Sequence, residues 1–284
     1  MNNYVMNAFG YNKRARIFCS ETTDLIRQIQ NDLQFGLTPE PVYLEFVSAM
    51  SVISGLLSDS DKLYIKFTGD HPDRQMSGVV DANGNIRGLI NEGFIPSEAK
   101  TVFGKSGFIT VRREPGHFGG YTGIVEMPYT SVAKNLENYF RRSEQLPTYI
   151  RLFLKLDSSR NVVLSRGVML QLLPGEPTSI ITDFNSVITK NLSLFQNPNI
   201  RIGADMWNKL LNSDFNYMSQ KSVQYHCDCT KEQYYSIIFS LSPSEIDEIQ
   251  TKKQTLEAAC SLCGKKYCFP YNEVADLFGI PVAK

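Results

Sequence analysis

The residues Cys227-Asp228-Cys229 and Cys260-Ser261-Leu262-Cys263-Gly264 decide how the last quarter of this chain folds. They form two close cysteine pairs, separated by residues 230–259, and can offer four thiolates to one tetrahedral zinc ion at Zn–S distances of about 2.3 Å. Gly264 lets the backbone after the second pair curl its amides toward the sulfurs. The C-x-C spacing of the first pair is less common than C-x-x-C, and such neighbours can bind metal when reduced or join to each other when oxidised.

On the cysteine pattern alone, three interpretations stay open. The first is a structural zinc ribbon that holds the tail together, the second is a metal site that responds to oxidation, and the third is a set of unligated buried thiols. Residues 1–18 lack an apolar core of signal-peptide length, and the longest uncharged apolar run, residues 46–58, is too short to span a bilayer. We therefore expect a cytoplasmic protein with no membrane partner. In a reducing compartment, clustered cysteines indicate metal or redox chemistry.

The composition predicts a globular protein without an electrostatic preference for nucleic acid. The chain has 284 residues, of which 42% are hydrophobic and 11% aromatic, enough for a sizeable core in one large domain or a few smaller ones. Lys plus Arg and Asp plus Glu each number 29. Because no net basic charge gathers nucleic acid, a nucleic-acid-binding zinc ribbon is disfavoured, and we expect no nucleic-acid partner.

Residues 1–177 are predicted to form an α+β domain. Apolar residues at helical spacing predict helices, and alternating apolar residues predict strands, with Asn83-Gly84 as the two-residue turn of a β-hairpin. The first helix carries Leu25, Ile26, Ile29 and Leu33, the second begins at Pro39, and a third spans residues 131–145. The predicted strands lie around residues 63–67, 79–80, 86, 108–112, 123–127, 150–156 and 162–173. This mixed order of elements is typical of the α+β class.

The segment Pro174-Gly175-Glu176-Pro177 marks the first domain boundary, because prolines and glycine end the preceding strand. Residues 178–222 after it are predicted to form a helical linker. Its apolar residues follow helical spacing in two stripes, at Ile181, Phe184, Val187, Ile188, Leu192 and Phe195, and at Met206, Trp207, Leu210 and Leu211. These stripes need a covering surface, whether as ordinary core helices or as a layer that the tail keeps in place.

Residues 223–284 are predicted to form a small zinc-binding domain. Thr230-x-x-Gln233 and Ser242-x-x-Glu245 are capping boxes that predict two short helices between the cysteine pairs. Their apolar residues make a core too small to stand alone, so a structural zinc ion, worth on the order of 10–16 kcal/mol at neutral pH, would supply much of the folding free energy. After the second pair, a short strand is predicted with Tyr267 and Phe269 inward and Cys268 outward.

Several segments together resemble one known family, the redox-regulated 33-kilodalton heat-shock chaperones. The resemblance covers about residues 11–270 and is carried by the two cysteine pairs with Gly264-Lys265-Lys266-Tyr267, by Tyr139-Phe140-Arg141-Arg142-Ser143-Glu144-Gln145-Leu146-Pro147, by Gln171-Leu172-Leu173-Pro174-Gly175 and by the hairpin Asp81-Ala82-Asn83-Gly84-Asn85-x-Arg87-Gly88. It implies an N-terminal α+β domain, a helical linker and a C-terminal zinc domain. It also implies a stress-response holdase without catalytic residues.

The resemblance assigns a role to each cysteine of the two pairs. Cys227, Cys229, Cys260 and Cys263 match the family's ligands of one zinc ion per chain and its redox-active disulfide cysteines. Zinc is bound in the reduced, inactive form, and oxidation to disulfides releases it and activates binding of unfolding client proteins. Lys231, Lys265 and Lys266 are candidates to offset the negative charge of the four thiolates. A homodimer of the oxidised form stays open.

Two residues depart from the family pattern. Cys268 is an extra cysteine, and His226 lies beside the first ligand. Cys268 is either an inert thiol or, once zinc leaves, a competitor for a disulfide with Cys260 or Cys263. Cys19 is expected to be a structural thiol, since nothing beside it marks an activated nucleophile.

Enzyme interpretations fit poorly. Gly104-Lys105-Ser106 looks like the end of a phosphate-binding loop, but Ala99 stands where that motif needs glycine, and the residues from Phe108 favour a strand over the required helix. The alternatives to a redox chaperone are therefore a zinc-ribbon module for nucleic acid or a protein partner and, more distantly, a thiol oxidoreductase. Measuring client aggregation before and after peroxide treatment distinguishes the redox chaperone from the zinc-ribbon module. Turnover of a thiol substrate would identify the oxidoreductase.

Overall fold

The computed structural model describes residues 3–32, 40–71, 73–91, 106–116, 119–212 and 214–279. The chain divides into two compact units, Met1–His226 and Cys227–Lys284. In the described part of the chain, none of the helices combines the length and the apolar character needed to cross a bilayer.

The first unit is a mixed α+β structure, as predicted. Its strands are β1 Tyr4–Gly10, β2 Ala15–Glu21, β3 Lys62–Thr68, β4 Gln75–Asp81, β5 Asn85–Ile90, β6 Phe108–Glu114, β7 Tyr121–Glu126, β8 Thr148–Leu156, β9 Val162–Leu172, β10 Phe215–Ser222 and β11 Gln224–Tyr225. Its helices are α1 Thr23–Asp32, α2 Glu40–Ile53, α3 Val132–Arg142, α4 Ser179–Lys190, α5 Leu192–Phe195 and α6 Ala204–Leu210. The predicted positions Leu33 and Pro39 lie outside the described residues.

These strands form two sheets. The first has five strands in the order β10-β1-β2-β9-β8, all antiparallel. The second has six strands in the order β11-β5-β4-β3-β6-β7, of which only the β11–β5 pair is parallel. The predicted hairpin joins β4 to β5, and the N–H of Gly84, at φ 82°, donates to the carbonyl of Asp81 at 3.0 Å.

Helix α2 lies between the two sheets. It packs against β2, β8 and β9 of the five-stranded sheet and against β4 and β5 of the six-stranded sheet. Most of its described side chains are therefore fully buried, among them Tyr43, Phe46 and Met50. Strand residues on the α2 side of the five-stranded sheet, such as Val5, Phe18 and Met169, belong to the same core cluster. One face of this sheet is thus covered from within the domain.

The linker helices cover the opposite face of the five-stranded sheet. Because successive strand side chains point to opposite faces, the neighbours of the residues just named belong to a second core cluster. This cluster joins strand residues to linker residues, and its members include Tyr4, Met6, Ile17, Leu170, Phe184, Ile188, Phe195 and Trp207. Both predicted apolar stripes of the linker contribute to this packing.

Three strands of the first sheet were not predicted. Residues 215–222 were expected to be helical, whereas they form β10, which pairs with β1 along most of its length. Strand β10 is an edge strand whose residues are mostly exposed, so its sequence lacks the apolar alternation that marks a half-buried strand. Strands β1 and β2 are buried on both faces, which also removes the alternating pattern.

The second unit is small. It contains a 3₁₀ turn Lys231–Tyr234, α7 Tyr235–Phe239, α8 Pro243–Lys252, β12 Leu256–Ala259, β13 Lys266–Phe269 and α9 Tyr271–Leu277. Both predicted capping boxes are present, at Thr230 and Ser242. The buried core of the described residues comprises Ile238, Ile249, Tyr267, Phe269 and Val274. Five side chains are a small core for a unit of this length, as the sequence indicated.

Candidate metal centre

The four cysteines of the two pairs converge in the second unit. Their Sγ atoms all lie within 4.8 Å of one another, and all four are free thiols. The Sγ atoms of Cys227 and Cys260 are 3.9 Å apart, and those of Cys229 and Cys263 are 3.5 Å apart. A tetrahedral zinc ion with Zn–S bonds of about 2.3 Å needs sulfurs about 3.8 Å apart. The donor set and its spacing therefore fit one zinc ion.

The second pair lies in the turn of a hairpin. Strands β12 and β13 pair antiparallel up to Ala259 opposite Lys266, and the chain turns through Cys260–Cys263. The N–H of Cys260 donates to the Lys265 carbonyl at 2.9 Å, and the N–H of Gly264 donates to the Cys260 carbonyl at 2.8 Å. Gly264 adopts φ 73°, a left-handed conformation that favours glycine. This turn presents both sulfurs to the same side.

The first pair follows the last strand of the first unit. Tyr225 ends β11, the N–H of His226 donates to the Ile86 carbonyl of β5 at 2.9 Å, and Cys227 comes next in the chain. Among the described residues, the converging ligand atoms are the four sulfurs and do not include His226. The backbone of His226 thus continues the pairing with β5, in keeping with its place at the end of the first unit.

The electrostatic environment differs among the four thiols before any ion is bound. Burial raises the pKa of Cys227 and, together with neighbouring sulfurs, that of Cys263. The pKa of Cys260 is lowered to about 6. Burial acts to raise it, but the Tyr234 hydroxyl and the amides of Leu262 and Cys263 favour the thiolate and together outweigh burial. The crowding of these groups favours a bound cation, and loading the site would release protons.

Two tyrosines at the site were missed by sequence reasoning. The Tyr267 hydroxyl lies 2.6 Å from the Cys229 carbonyl oxygen and 3.1 Å from Cys229 Sγ. The Tyr234 ring packs on the Tyr267 ring, with centroids 5.1 Å apart. Only their places shortly after each pair in the sequence could have pointed to them. Aromatic residues at such positions are more often core residues, which is why the signal is weak.

Two of the three predicted cations, Lys231 and Lys265, have definite partners. Lys231 Nζ lies 2.6 Å from Glu273 Oε2 and 4.8 Å from the centroid of the Phe269 ring. Lys265 Nζ lies 5.2 Å from the centroid of the Tyr267 ring, whose hydroxyl contacts Cys229. Lys265 is therefore connected to the cysteine cluster through a tyrosine. Lys231 is neutralised by a carboxylate, which weakens its predicted role.

Cys268 and Cys19 do not belong to the group of four converging cysteines. Cys268 is exposed on β13 opposite Glu257, while Tyr267 and Phe269 on either side of it are buried, so its predicted orientation is confirmed. Its redox role stays a prediction. Cys19 is buried in β2, and burial raises its thiol pKa well above the ordinary value. A thiol of that kind is unreactive, in agreement with the expected structural role.

The apparent phosphate-loop motif does not continue as a phosphate loop. Ala99, Gly104 and Lys105 lie outside the described residues, but Phe108 begins strand β6. A phosphate-binding loop of that type opens a helix whose N-terminal amides face the phosphate. The strand removes this interpretation, as the sequence had indicated.

Comparison with known proteins finds similar sequences along nearly the whole length of the chain. A family model described as Hsp33 protein matches residues 3–270. The 33 kDa chaperonin of Thermoanaerobacter sp. (strain X514) is 26% identical over 300 residues, covering 99% of each chain. That of Geobacillus sp. (strain WCH70) is 25% identical over 300 residues, covering 100% of each chain.

A solved structure shares the fold. The 33 kDa chaperonin (heat shock protein 33 homolog) of Thermotoga maritima superposes with a TM-score of 0.83 at 17% identity, covering 98% of each chain. The resemblance found in the sequence is thereby confirmed, and with it the expectation of a chaperone rather than an enzyme. From its fold, its four converging cysteines and the family match over nearly its whole length, this chain belongs to the Hsp33 protein family.

Proposed function

We propose that this chaperone is a redox-regulated holdase. In a reducing compartment such as the cytoplasm, one zinc ion held by Cys227, Cys229, Cys260 and Cys263 keeps it inactive. Oxidation joins the sulfurs into disulfides, zinc leaves, and apolar surface becomes available to unfolding client proteins. The observation that supports this most is the convergence of four free thiols in the unit that follows the linker layer along the chain.

The linker layer hides a surface suited to a holdase. Trp207 is fully buried and stacks on Phe184 at 5.9 Å and on Phe215 at 5.7 Å between ring centroids. Phe195 packs on Trp207 at 5.5 Å and on Phe153 of β8 at 5.2 Å. Aromatic side chains of this kind bury large apolar areas, and uncovering them creates a patch that binds other apolar segments.

A buried arginine holds the linker at one point. Arg166 of β9 pairs with Glu21 at 2.5 Å, and the two side chains are almost fully buried. The same guanidinium donates to the carbonyls of Phe195 and Asn197, each at 3.1 Å, and to that of Ile200. An arginine with this many fixed acceptors orders the otherwise irregular residues 196–203. Aromatic packing and this buried anchor, with a further hydrogen bond from the Tyr11 hydroxyl to Asp183 at 2.9 Å, keep the linker on the sheet.

The path from the cysteines to the linker runs along the chain. Strand β10 pairs with β1, and its Phe215 contacts Trp207 of the linker. Strand β11 then pairs with β5, and Cys227 follows two residues after Tyr225. We infer that ordering of Cys227–Lys284 by zinc restrains this end of the linker. When the tail unfolds, the restraint on β11 and β10 is lost.

Zinc would contribute folding free energy to the second unit, on the order of 10–16 kcal/mol for a structural site at neutral pH.

Hydrogen peroxide is the oxidant in the proposed activation. A cysteine thiolate displaces hydroxide from hydrogen peroxide to give a sulfenic acid, and a second thiolate displaces hydroxide from that sulfur to give a disulfide. Two thiolates thus lose two electrons to one hydrogen peroxide, and the two hydroxide ions released take up protons to give two water molecules.

The test is to follow zinc release and aggregation of a denatured test protein while the chaperone is treated with peroxide. We expect the wild type to suppress aggregation only after zinc release, and reductant with added zinc to reverse both. Cys260→Ser should lack stoichiometric zinc and bind the test protein without peroxide, whereas the matched control Cys268→Ser should load zinc normally. A fully zinc-loaded Cys260→Ser protein would contradict the assignment of Cys260 as a ligand. Equal suppression of aggregation by the wild type with and without peroxide would contradict the redox switch.

A further inference from the structure

The turn that joins β1 to β2 holds three neighbouring residues in a strained backbone conformation. Tyr11, Asn12 and Lys13 have φ angles of 55°, 56° and 63°. These angles lie in the left-handed region, which glycine tolerates well, asparagine less well and other side chains poorly. In the described part of the chain, the other non-glycine residues with positive φ occur singly. A run of three is not favoured by these residue types, so contacts outside the turn hold it in place.

These contacts come from both ends of the linker. The Tyr11 hydroxyl donates to Asp183 Oδ2 of α4 at 2.9 Å, and the Tyr11 ring meets that of Phe184 edge-on at 6.4 Å between centroids. The N–H of Asn12 donates to Asp214 Oδ2 at 2.8 Å, directly before β10 begins. Helices α5 and α6 lie between the two aspartates in the chain. The turn therefore bridges the first helix of the linker to the residue before β10.

The Tyr11 hydroxyl stays protonated and remains a donor. Burial, together with the carboxylates of Asp183 and Asp214, raises its pKa well above the ordinary value of a tyrosine. At the other end of the turn, the Arg14 carbonyl accepts from the N–H of Leu173 at 3.0 Å, directly after β9. The turn is thus fixed to the sheet at Arg14 and to the linker at Tyr11 and before it reaches Lys13.

We propose that residues 11–14 form a strained latch that couples the two ends of the linker, so that the linker leaves the sheet as one unit. The left-handed residues keep their conformation while both aspartates hold them. When the contact with Asp183 breaks, the turn relaxes toward ordinary backbone angles and the Asn12 N–H turns away from Asp214. The hydrogen bonds favour the closed linker, and the strain favours the open one. This inference deepens the proposed function and rests on release of the linker there.

Removing a hydrogen bond should weaken the latch. Tyr11→Phe keeps the ring beside Phe184 but loses the hydrogen bond to Asp183. The matched control is Tyr149→Phe. The Tyr149 ring also packs edge-on against Phe184, at 5.7 Å between centroids, but its buried hydroxyl makes no hydrogen bond to the described residues. The two variants therefore differ in the latch contact and share the loss of one hydroxyl near the same ring.

Removing strain should strengthen the latch. Lys13 is exposed, so Lys13→Gly removes little packing and leaves the contacts of Tyr11 and Asn12 in place. Glycine adopts positive φ about as readily as negative φ, so the turn is held at lower cost. The matched control is Asp59→Gly, which relieves an exposed residue at φ 55° in the loop before β3.

The experiment follows hydrogen exchange in the full-length, reduced, zinc-loaded protein. We expect Tyr11→Phe to speed exchange about fivefold, the loss expected for one net hydrogen bond, in α4 and equally in α6 and at the start of β10. Lys13→Gly should slow exchange in the same segments by about threefold. Tyr149→Phe and Asp59→Gly should leave these segments close to the wild type.

Three results would overturn the latch. Faster exchange confined to α4 in Tyr11→Phe would show that the turn does not couple the two ends of the linker. Equal exchange in Tyr11→Phe and Tyr149→Phe would show that the hydrogen bond to Asp183 holds nothing. Unchanged or faster exchange in Lys13→Gly would show that the turn is not strained. Wild-type linker exchange that stays the same after peroxide and zinc release would instead contradict the proposed function, so the two failures are distinguishable.

Discussion

The two faces of the five-stranded sheet are covered by different kinds of layer. On one face, α2 lies between two sheets and is buried nearly all round. On the other face, α4 presents Ile180, Phe184 and Ile188 to the sheet, while Thr182, Asp183 and Asn185 between them are exposed. An inner layer cannot leave without separating the two sheets. An outer layer with water on its far side can leave while the rest of the core stays intact.

This difference identifies the part of the protein suited to a switch. The same strands supply residues to both faces, so loss of the linker exposes the ordered apolar face of a sheet that α2 still supports. The second unit has a core of five buried side chains among its described residues and a cluster of four sulfurs, so we expect its order to depend on a bound metal ion far more than that of the first unit does.

The largest effect is expected from removing an aromatic ring on each face in turn. Phe46 of α2 is fully buried and packs on Phe67 at 5.4 Å between ring centroids, so Phe46→Ala should destabilise the whole first unit by about 3–5 kcal/mol. Phe184→Ala removes an equally buried ring from the linker. It should leave the main thermal transition near that of the wild type and give holdase activity in the reduced, zinc-loaded protein. Calorimetry measures the thermal transition of each variant, and an aggregation assay measures its holdase activity. If the two variants unfold identically, the proposed difference between the inner and outer layers is wrong.

A smaller effect is expected at the polar anchor of the linker. Arg166→Lys keeps a charge beside Glu21 but loses the fork of donors to the linker carbonyls. We expect a loss of about 1–3 kcal/mol in the local stability of residues 191–203, seen as faster hydrogen exchange there. The control is Arg14→Lys, which alters the exposed pair with Glu176 at the start of the linker and should cost under about 1 kcal/mol. Equal exchange in the two variants would contradict the anchor.

The smallest effect is expected at Cys268. Because this side chain is exposed, Cys268→Ser should change stability by under about 0.5 kcal/mol and leave zinc content unchanged. We predict that after zinc loss Cys268 competes for a disulfide with Cys260 or Cys263, so the variant should regain its reduced state at a different rate. Peptide mapping after peroxide treatment decides this. A Cys268 thiol that stays fully reduced, with wild-type activation and recovery, would show that it is inert.

Sequence reasoning predicted the features that depend on short-range patterns. The hairpin at Asn83-Gly84, the capping boxes at Thr230 and Ser242, and the inward and outward residues of β13 all follow from spacing over a few residues. The meeting of the two cysteine pairs was expected because chelating spacing is itself a local signal.

Features set by distant partners were not predicted. Strand β10 exists because β1 offers it a free edge, and β1 comes from the opposite end of the unit. Arg166 gave no signal, since its acceptors are linker carbonyls that only the fold brings to it. The hydroxyl of Tyr267 likewise reaches Cys229 Sγ only through the folded second unit.

The central claim is that zinc loss in the tail uncovers the linker, and the fluorescence of Trp207 tests it most directly. This is the sole tryptophan of the chain, and it is fully buried between the linker and the sheet. With no client present, we predict that peroxide shifts its emission to longer wavelength in step with zinc release, and that reductant with zinc restores it. Cys268→Ser should show the same peroxide-induced shift as the wild type. If holdase activity develops while Trp207 emission stays that of the reduced protein, the linker is not the surface that the switch uncovers.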